Sequence, residues 1–558
     1  MGTISSLKKK ESQLQRELEN KIESMRLEDI ETLAKKKAAK LGLPYLNLRV
    51  SPIDQSAVQI LPEAESQIGR MAVIAKSGKN LKVAVADPEL IETKKTLEEL
   101  RRRGFTPGLV VVSGLSLESA WKRYLLKKED QTNLGIVELK ESELNELQSK
   151  IKDIADLKER MAKIAVSKIL GVLIAGAIKV GASDIHLEPE ERGIRLRYRL
   201  DGLLYDVVFF PPVGYQGLLS RIKLTSGLKI NVHDIPQDGR FTIRQESQDI
   251  EVRVSVLPGA YGENVVMRIL DPRAMKQKLG DLGVRDDVLK KIQSLLRKSA
   301  GAILTTGPTG SGKTTTLYTF IKHINSPDSK IITIEDPIEY HISGISQTQV
   351  DPQSGYSFAS GLKSIVRQDP DVILVGEIRD SETAEIAMQA ALTGHLVFST
   401  LHTNDAAGAI PRLINFGISP VTIAPAINAV MAQRLVRNLC PDCKKKQRIK
   451  SEDLGLIKKY LSAIGPEYKL PPIGESLEIF YPQKCERCNL TGYRGRLGVY
   501  EIFEVDREIE SLILKSPAIS EIREAAIKKG MITLIQDGLL KVLEGRTSVE
   551  EVLRVVGE

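Results

Sequence analysis

One segment of the chain has the residue types and the spacing of a phosphate-binding loop. The apolar run 301–306 leads directly into a glycine-rich loop, and a helix-compatible run 315–321 follows. Backbone N–H groups of such a loop converge on phosphate oxygens, and the positive end of the following helix adds to the attraction. The residues that we expect to bind a nucleotide are Gly307, Pro308, Thr309, Gly310, Ser311, Gly312, Lys313, Thr314 and Thr315.

Two residues of this loop have side chains with separate roles in nucleotide chemistry. Lys313 is expected to reach the β- and γ-phosphates, and the Thr314 hydroxyl is expected to ligate Mg²⁺. Because the loop stands between a strand and a helix, the context that the motif needs is present, and an unrelated glycine-rich turn is disfavoured. The chain is therefore predicted to bind a nucleoside triphosphate together with Mg²⁺.

Two further strand-like runs lead into acidic residues. The run 331–334 is followed by Glu335, and the run 371–375 is followed by Gly376 and Glu377. Ligands bind at the carboxyl ends of the strands in an open parallel sheet, so both carboxylates are expected near the phosphates. We assign Glu377 to orienting the attacking water and Glu335 to holding the water shell of the metal, with the reverse assignment open. Because Gly376 stands where a generic P-loop enzyme has an Asp, the metal contact is expected to run through water.

All four cysteines of the chain stand in two C-x-x-C pairs, Cys440 with Cys443 and Cys485 with Cys488. Four thiolates in such pairs can hold Zn²⁺ tetrahedrally, and the long gap between the pairs predicts a closed structural site that pins an excursion of the chain. A redox-active thiol pair and idle thiols are the alternatives. The basic residues expected to balance the charge of the zinc site are Arg434, Arg437, Lys444, Lys445, Lys446, Arg448 and Lys450.

The composition is that of an ordinary soluble protein. Hydrophobic residues make up 42% of the 558 and charged residues 27%, which excludes a disordered or collagen-like chain and predicts about three or four domains. The net charge of +8 is too small to indicate nucleic-acid binding, since an anionic membrane surface or partner explains it equally well. The N-terminal charges precede no apolar stretch and no segment is long enough to span a bilayer, so we expect a cytoplasmic protein.

The motifs must be positioned by several domains. Residues 1–40 are predicted to be helical, because Leu27, Ile30, Leu33 and Ala34 fall on one helical face. This helix either docks on its own domain or binds a partner or a membrane surface. The remaining predicted ranges are an N-terminal α/β domain at 41–128, a helical linker at 129–160, a second domain at 161–275, and a large α/β domain at 276–558 with a cysteine-bearing insertion at about 434–498.

The order of the motifs resembles that of the secretion ATPase superfamily, which drives type II secretion and type IV pili. The resemblance covers roughly residues 155–558. It implies a RecA-like P-loop ATPase core, a PAS-like α/β second domain, an N-terminal α/β domain and a tetracysteine zinc insertion. The segments that carry it are the phosphate-binding loop, 333–337, 367–371, 376–380 and 393–404.

The resemblance also implies roles for four residues that spacing alone does not single out. It places His395 and His402 near the nucleotide, with either a nucleotide-sensing or a structural role for His395. It implies that Arg253 and Arg268 of the second domain reach the nucleotide phosphates. There an arginine neutralises charge on the transferred phosphoryl group. Salt bridges on a strand face are the alternative for these arginines. Whether they serve their own subunit or a neighbouring one stays open.

The function implied by the resemblance is that of a motor. It would be a Mg²⁺-dependent ATPase, a homo-hexamer, held at the inner face of the cytoplasmic membrane by an inner-membrane platform protein. Pilus retraction motors usually lack the tetracysteine module and the long N-terminal domain, so pilus assembly or type II secretion is favoured. The alternatives are a motor of the same fold for DNA uptake or pilus retraction, and a nucleotide-gated scaffold without turnover. Direct nucleic-acid binding is not expected, because only 4% of the residues are aromatic and no recognition helix is visible.

The first 150 residues resemble the family only loosely. Residues 41–48 and 60–62 are similar to the domain that docks such ATPases onto their membrane platform. In some relatives this domain binds a cyclic dinucleotide through paired repeats that begin with Arg-Leu-Gly. No such repeat is found in this sequence, so control by cyclic di-GMP is not expected.

Overall fold

The chain divides into two compact units, Met1–Leu134 and Gly135–Glu558. Of the predicted linker helix at 129–160, only residues 136–137 are described, and these form a strand, so the helix prediction is wrong there. No helix in the described part of the chain is both long and apolar enough to cross a bilayer. The structure, a computed structural model, describes residues 30–48, 53, 55–58, 60–121, 124, 136–137, 166–212, 214–244, 249–271, 277–465, 468 and 470–557.

The first unit contains a small α/β domain. Its three-stranded sheet has the order Met71–Ser77, Asn80–Val85, Thr106–Val111, with the first pair antiparallel and the second pair parallel. Buried apolar side chains cover both faces of this sheet. The helices in the described part of this unit are 30–40, Gln55–Val58, Glu63–Ile68, Ile91–Arg102 and Gly114–Trp121.

The helix at 30–40 buries only part of the apolar face that the sequence predicts. Ala34 is buried, whereas Ile30 is 39% exposed and Leu33 is 66% exposed. The helix thus packs through small residues such as Ala34 and turns Ile30 and Leu33 outward, so both alternatives for this helix stay open. The fourth residue of the predicted face, Leu27, lies outside the described residues.

The second unit begins with a seven-stranded sheet that is antiparallel except at one edge. The helix Val166–Val180 packs on this sheet together with the helix Tyr215–Thr225. A buried hydrogen bond of 2.7 Å from Tyr198 Oη to the carbonyl of Leu173 ties this first helix to the sheet. The strands, in spatial order, are Ile136–Val137, Gln237–Ile243, Ile250–Leu257, Asn264–Leu270, Ala182–Glu190, Gly193–Leu200 and Leu203–Phe210.

The large α/β domain is built on a second seven-stranded sheet. Six of its strands are parallel and the seventh, an edge strand, is antiparallel. Two separate apolar cores cover its two faces, as in other open α/β sheets. The strands, in spatial order, are Ser346–Gln349, Ile331–Glu335, Val372–Val375, Leu396–Leu401, Gly301–Thr306, Ile427–Leu439 and Tyr493–Glu504.

Helices surround this sheet and continue to the C-terminal end of the described chain. The α-helices of the domain are Asp286–Leu295, Lys313–Ile324, Phe358–Val366, Ser381–Leu392, Ala409–Asn415, Pro420–Ala426, Ser451–Leu461, Arg507–Ile513, Ile519–Lys528, Leu534–Leu543 and Val549–Val556. The 3₁₀ helices in the described part are Leu279–Leu282, Pro352–Ser354 and Glu486–Cys488.

The cysteine-bearing excursion is shorter than predicted. Residues 434–439 and 493–498 belong to the paired strands Ile427–Leu439 and Tyr493–Glu504 of the main sheet. The excursion therefore occupies 440–492, and the predicted bounds at 434 and 498 are wrong, because both flanks are strand. The regular elements in its described part are the helix Ser451–Leu461, the 3₁₀ helix Glu486–Cys488 and a two-stranded sheet of Lys445–Arg448 and Glu478–Tyr481.

Candidate nucleotide site and metal centre

The strand Gly301–Thr306 is buried along its whole length and delivers the phosphate-binding loop to the carboxyl edge of the sheet. The helix Lys313–Ile324 follows the loop, as predicted. Nζ of Lys313 donates hydrogen bonds to the carbonyls of Gly307, at 2.8 Å, and Pro308, at 3.1 Å. Burial lowers the pKa of Lys313, and the nearby charge of Glu377 opposes this effect. The ammonium group is thus fixed inside the loop.

Two positions of the loop accept only glycine, because the neighbouring strand Ile427–Leu439 leaves no room for a side chain there. Gly307 has φ 144° and Gly312 has φ 89°, and an added Cβ would come within 2.6 Å and 2.8 Å, respectively, of atoms of Gln433. The side chain of Gln433 is buried and accepts a 2.9 Å hydrogen bond from Oγ1 of Thr316. Gln433 therefore presses against the loop and shapes it, and the sequence motif gave no sign of this contact.

Glu335 is buried at the end of its strand and held by three donors. Its Oε1 accepts hydrogen bonds from Thr333 Oγ1 at 2.6 Å and from Gln347 Nε2 at 3.1 Å. Its Oε2 accepts from the hydroxyl of Tyr318, a residue of the helix after the phosphate-binding loop. Burial and the neighbouring carboxylates raise the pKa of Tyr318 well above its usual value, which keeps the hydroxyl a donor. Glu335 is therefore rigidly placed, through residues that the sequence did not single out.

Glu377 is less buried and contacts two basic side chains. Its Oε2 lies 3.1 Å from Nε2 of His402, and its Oε1 accepts a hydrogen bond from Arg379. Burial raises the pKa of Glu377, but the hydrogen bond and charge of Arg379, followed by those of His402, outweigh burial and lower it. The carboxylate is therefore ionised and oriented. The sequence signs of these two contacts are the position of Arg379, two residues after Glu377, and the resemblance that places His402 near the nucleotide.

Backbone and hydroxyl contacts join the turn of Glu377 to the strand that leads to His402. Oγ1 of Thr400 donates a 2.8 Å hydrogen bond to the carbonyl of Gly376, and the N–H of Ile378 donates at 3.0 Å to the carbonyl of Thr400. The two side chains thus meet because their strands are neighbours in the sheet.

His395 does not lie on this edge of the sheet. It precedes the strand Leu396–Leu401, whose first residue pairs with Gly301, whereas the phosphate-binding loop follows the other end of that pairing at Thr306. The Nδ1 atom of His395 lies 3.0 Å from the carbonyl of Ala390. The strand separates His395 from the loop of its own chain by roughly 20 Å. The predicted place of His395 near that loop is therefore wrong.

The two arginines of the second domain are directed toward the segment after Glu335. Nη2 of Arg253 donates a 2.6 Å hydrogen bond to the carbonyl of Ile338. Arg268 is paired opposite Arg253 on the next strand, and its Nε donates at 2.9 Å to Asp184. Burial raises the pKa of Glu339, and the charges of both arginines oppose this effect. Arg253 thus joins the two domains within one chain. Both arginines also form the strand-face salt bridges that were the alternative, Arg253 with Glu251 at 3.2 Å and Arg268 with Asp184.

The four cysteine sulfurs have the spacing of a zinc site. All four Sγ atoms lie within 4.8 Å of one another, with separations of 3.6 Å for Cys485–Cys488 and 3.9 Å for Cys440–Cys485 and Cys443–Cys488. Tetrahedral Zn²⁺ with bonds of about 2.3 Å would hold its sulfurs about 3.8 Å apart. A disulfide needs about 2.05 Å. The donor set therefore fits Zn²⁺ and excludes a disulfide pair in this arrangement.

Backbone groups prepare one of these thiols for metal binding. The N–H of Gly492 donates a 3.2 Å hydrogen bond to Sγ of Cys488. Burial raises the pKa of Cys488, but backbone hydrogen bonds at Cys485 and Gly492 outweigh burial and lower it to about 7. A thiolate is the form that binds a metal, and Cys488 is the thiol that favours this form, whereas burial raises the pKa of Cys440 and of Cys443.

Several of the basic residues expected to balance the zinc site have other partners. Nη2 of Arg437 bonds Glu551 at 2.7 Å, and Nζ of Lys444 donates to the carbonyl of Gly545 at 2.8 Å. Arg434 lies beside the phosphate-binding loop. The run of positive charges in the sequence is thus distributed among several contacts. The prediction that it serves the zinc site is wrong for Arg434, which the sequence grouped with the cysteines only because it is near them along the chain.

A phosphate-binding loop at the carboxyl edge of a mostly parallel sheet, with an oriented carboxylate two strands away, defines a P-loop ATPase with a RecA-like core. A solved structure supports the fold. The ATPase DotB of Yersinia pseudotuberculosis superposes with a TM-score of 0.50 at 20% identity, covering 70% of this chain and 92% of that one.

Sequence comparisons identify the family within this class. The family model described as type II/IV secretion system protein matches residues 159–554, and the MshEN domain model matches residues 41–131. The type IV pilus assembly ATPase PilB of Myxococcus xanthus is 37% identical over 92% of this chain and 88% of its own length. The type II secretion system protein E of Aeromonas hydrophila is 44% identical over 72% of this chain and 78% of its own. The chain belongs to the type II/IV secretion system ATPase family.

Proposed function

We propose that this chain hydrolyses ATP with Mg²⁺ and uses the energy to power type IV pilus assembly or type II secretion. One observation carries the catalytic part: Glu377, held by Arg379 and His402, lies at the same sheet edge as the buried Lys313. The relatives support the biological part, because they are a type IV pilus assembly ATPase and a type II secretion system protein.

Each residue of the edge has a distinct task in this proposal. Lys313 neutralises charge on the β- and γ-phosphates, and the Thr314 hydroxyl and Glu335 hold Mg²⁺ and its water shell. The metal supplies charge stabilisation at the phosphates. Glu377 orients the attacking water, since its carboxylate is ionised and more accessible than that of Glu335. The three donors that hold Glu335 support a fixed role at the metal rather than at the water.

The arginines of the second domain complete the site from their own subunit. Arg253 already reaches the Ile338 carbonyl of the same chain, three residues after Glu335, so a movement of the second domain toward the loop would bring its guanidinium to the phosphates. Arg268, on the neighbouring strand, would move with it. The cost of leaving Ile338, Glu251 and Asp184 would be offset by bonds to phosphate oxygens, which guanidinium groups bind with two parallel hydrogen bonds.

Zn²⁺ in the four-thiolate site would serve structure rather than chemistry. The sulfur spacing fits a closed tetrahedral site, and such sites have no open position for a substrate. Bound metal would close the excursion 440–492 onto the main sheet, because Cys440 directly follows one paired strand and Cys488 precedes the other.

The working form would be a homo-hexamer at the inner face of the cytoplasmic membrane, bound to an inner-membrane platform protein. Family membership supports this assembly, and no helix in the described residues offers a membrane span of its own. The tetracysteine site and the N-terminal domain favour assembly or secretion over retraction. The ordered pair of Glu377 and His402 disfavours a scaffold without turnover.

Steady-state phosphate release with light scattering on the same sample tests the proposal. Wild-type protein is expected to hydrolyse ATP only with Mg²⁺ and to elute as a hexamer, and Lys313→Ala is expected to abolish turnover without changing the elution. Lys322→Ala, at the other end of the same helix, is the matched control and should keep its activity. Turnover that survives Lys313→Ala, or none at all with acidic lipid and platform protein present, would contradict the proposal.

A further inference from the structure

Arg434 stands beside the phosphate-binding loop, although its sequence neighbours are those of the cysteine excursion. It lies two residues beyond Ala432, the register partner of Thr306 at the end of the loop's own strand. Its Nη1 donates a 3.1 Å hydrogen bond to the carbonyl of Gln433, and a Cβ added at Gly307 would meet this Nη1 at 3.0 Å. The guanidinium is thus in van der Waals reach of the first residue of the loop.

The charge of Arg434 has no direct counter-ion. Among the residues that the structure describes, no carboxylate lies within ion-pair distance of Arg434, which only bonds backbone carbonyls. Burial lowers the pKa of Arg434, and the more distant charges of Glu501 and Asp405 only oppose this effect. A half-buried cation without an ion-pair partner is costly, and an anion bound beside it offsets that cost. The two used N–H groups leave further donors of the guanidinium for oxygen acceptors.

Its second hydrogen bond directs the guanidinium across the end of the loop strand. Nη2 donates at 2.6 Å to the carbonyl of Asn404, two residues after His402. His402 in turn contacts Glu377, the carboxylate proposed to orient the attacking water. The guanidinium of Arg434 therefore reaches from its own strand to the segment that carries His402, the histidine in contact with the carboxylate proposed to orient the attacking water.

We propose that Arg434 is a second phosphate-binding cation of the nucleotide site, acting beside Lys313 and directed at the terminal phosphate of ATP. This inference rests on the proposed function, because it assumes that the loop binds ATP. It explains why a positive charge is maintained here at the cost of burial. It also makes the affinity for a triphosphate, rather than for a diphosphate, the property that depends on Arg434.

Nucleotide affinity of the full-length protein tests this role. Calorimetric titration with the non-hydrolysable β,γ-imido analogue of ATP and with ADP, both with Mg²⁺, gives the affinity ratio of the two ligands. Arg434→Gln is expected to weaken the binding of the analogue by about 10- to 100-fold, the loss typical of one charged hydrogen bond. The binding of ADP should weaken much less. Arg434→Lys keeps the charge but not the planar, two-pronged donor geometry of the guanidinium. Its affinity for the analogue is expected to lie between those of wild type and Arg434→Gln.

Thr306→Val is the control for a merely structural role. It removes the 3.2 Å bond from Thr306 Oγ1 to the carbonyl of Asp405 and so loosens the same segment without removing a charge. It should affect both nucleotides equally. Equal weakening of both nucleotides by Arg434→Gln, or no weakening, overturns the inference. Failure of the proposed function is distinguishable, because wild-type protein would then bind neither nucleotide, or would bind both regardless of Lys313→Ala.

Discussion

His402 and Glu377 meet at 3.1 Å, Nε2 to Oε2, from the ends of two neighbouring parallel strands. Arg379 contacts the other oxygen of the same carboxylate. The two basic groups leave Glu377 few orientations, and they keep it ionised. An oriented carboxylate at the edge that carries Lys313 is what water activation for phosphoryl transfer requires.

Replacing the carboxylate of Glu377 tests its role in turnover. Glu377→Gln is expected to bind ATP with near wild-type affinity but to lose about 10²- to 10⁴-fold in turnover, because an amide of the same shape cannot act as a base. Phosphate release and nucleotide titration measure the two properties. Glu382→Gln, an exposed glutamate that pairs with Lys363 on the surface, is the matched control and should match wild type. Turnover near wild type in Glu377→Gln would transfer the base role to Glu335.

Removing Arg379 should shift the pH dependence of hydrolysis. Burial raises the pKa of Glu377, and Arg379 is the main group that lowers it. In Arg379→Gln the pKa of Glu377 therefore rises, so the acid-side decline of kcat/KM is expected to move to higher pH. The residual activity, measured from acid to neutral pH, gives this midpoint. A lower rate with an unshifted acid limb would show that Arg379 acts on something other than the proton affinity of Glu377.

Metal content tests the cysteine site. We expect one Zn²⁺ per chain in the purified protein, and Cys488→Ser should lower this content and the melting temperature together, since the free energy of structural zinc binding contributes to folding. Elemental analysis and calorimetry on the same samples measure both. Glu486→Gln, between the two cysteines of the pair, is the control and should keep its zinc. Full zinc occupancy in Cys488→Ser, or a zinc-free wild type after expression with added zinc, would count against the site.

Mixed assemblies distinguish whether Arg253 acts within its own subunit. Arg253→Ala removes the guanidinium that bonds Ile338 of the same chain, and Lys313→Ala inactivates the phosphate-binding loop. If Arg253 acts in its own subunit, every chain of a mixed ring lacks one essential group. The mixture should then show no more ATP hydrolysis than the two variants measured separately. Recovered hydrolysis on mixing would instead place Arg253 at a neighbouring subunit's nucleotide.

The buried side chain of Glu501 is expected to stabilise the folded protein. Its buried carboxylate accepts hydrogen bonds from the N–H groups of Ala406, at 2.9 Å, and Leu534, at 3.2 Å. Glu501→Ala leaves both buried N–H groups unpaired and should lower the free energy of unfolding by about 2 kcal/mol or more. Chemical denaturation measures this. The control is Glu504→Ala on the same strand, where the side chain is exposed, and an equal effect of both variants would refute the argument.

Much of the site could be predicted because its parts are local in the sequence. In the loop at 307–315 and in the run that ends at Glu335, the reactive group directly follows the strand that carries it. A short stretch of sequence therefore predicts both the group and its strand. The cysteine pairs are local motifs too, and the prediction of a metal site required only that the two pairs come together in the fold. Strands buried on both faces are also recognisable in the sequence as continuous apolar runs, as at Gly301–Thr306.

Other features depended on the order and register of the strands. Strand direction decides that His402 reaches Glu377 while His395 lies at the opposite edge. Sheet order places Arg434 beside Gly307, far from it in sequence, because Ile427–Leu439 pairs directly with the loop strand.

The sequence by itself determined the chemistry that the chain can perform, since that chemistry resides in short motifs whose backbone geometry is local. Only the tertiary structure decided which charges act together. Coulomb interactions and hydrogen bonds depend on distances in space, and the pairing of strands such as Val372–Val375 and Leu396–Leu401 sets those distances.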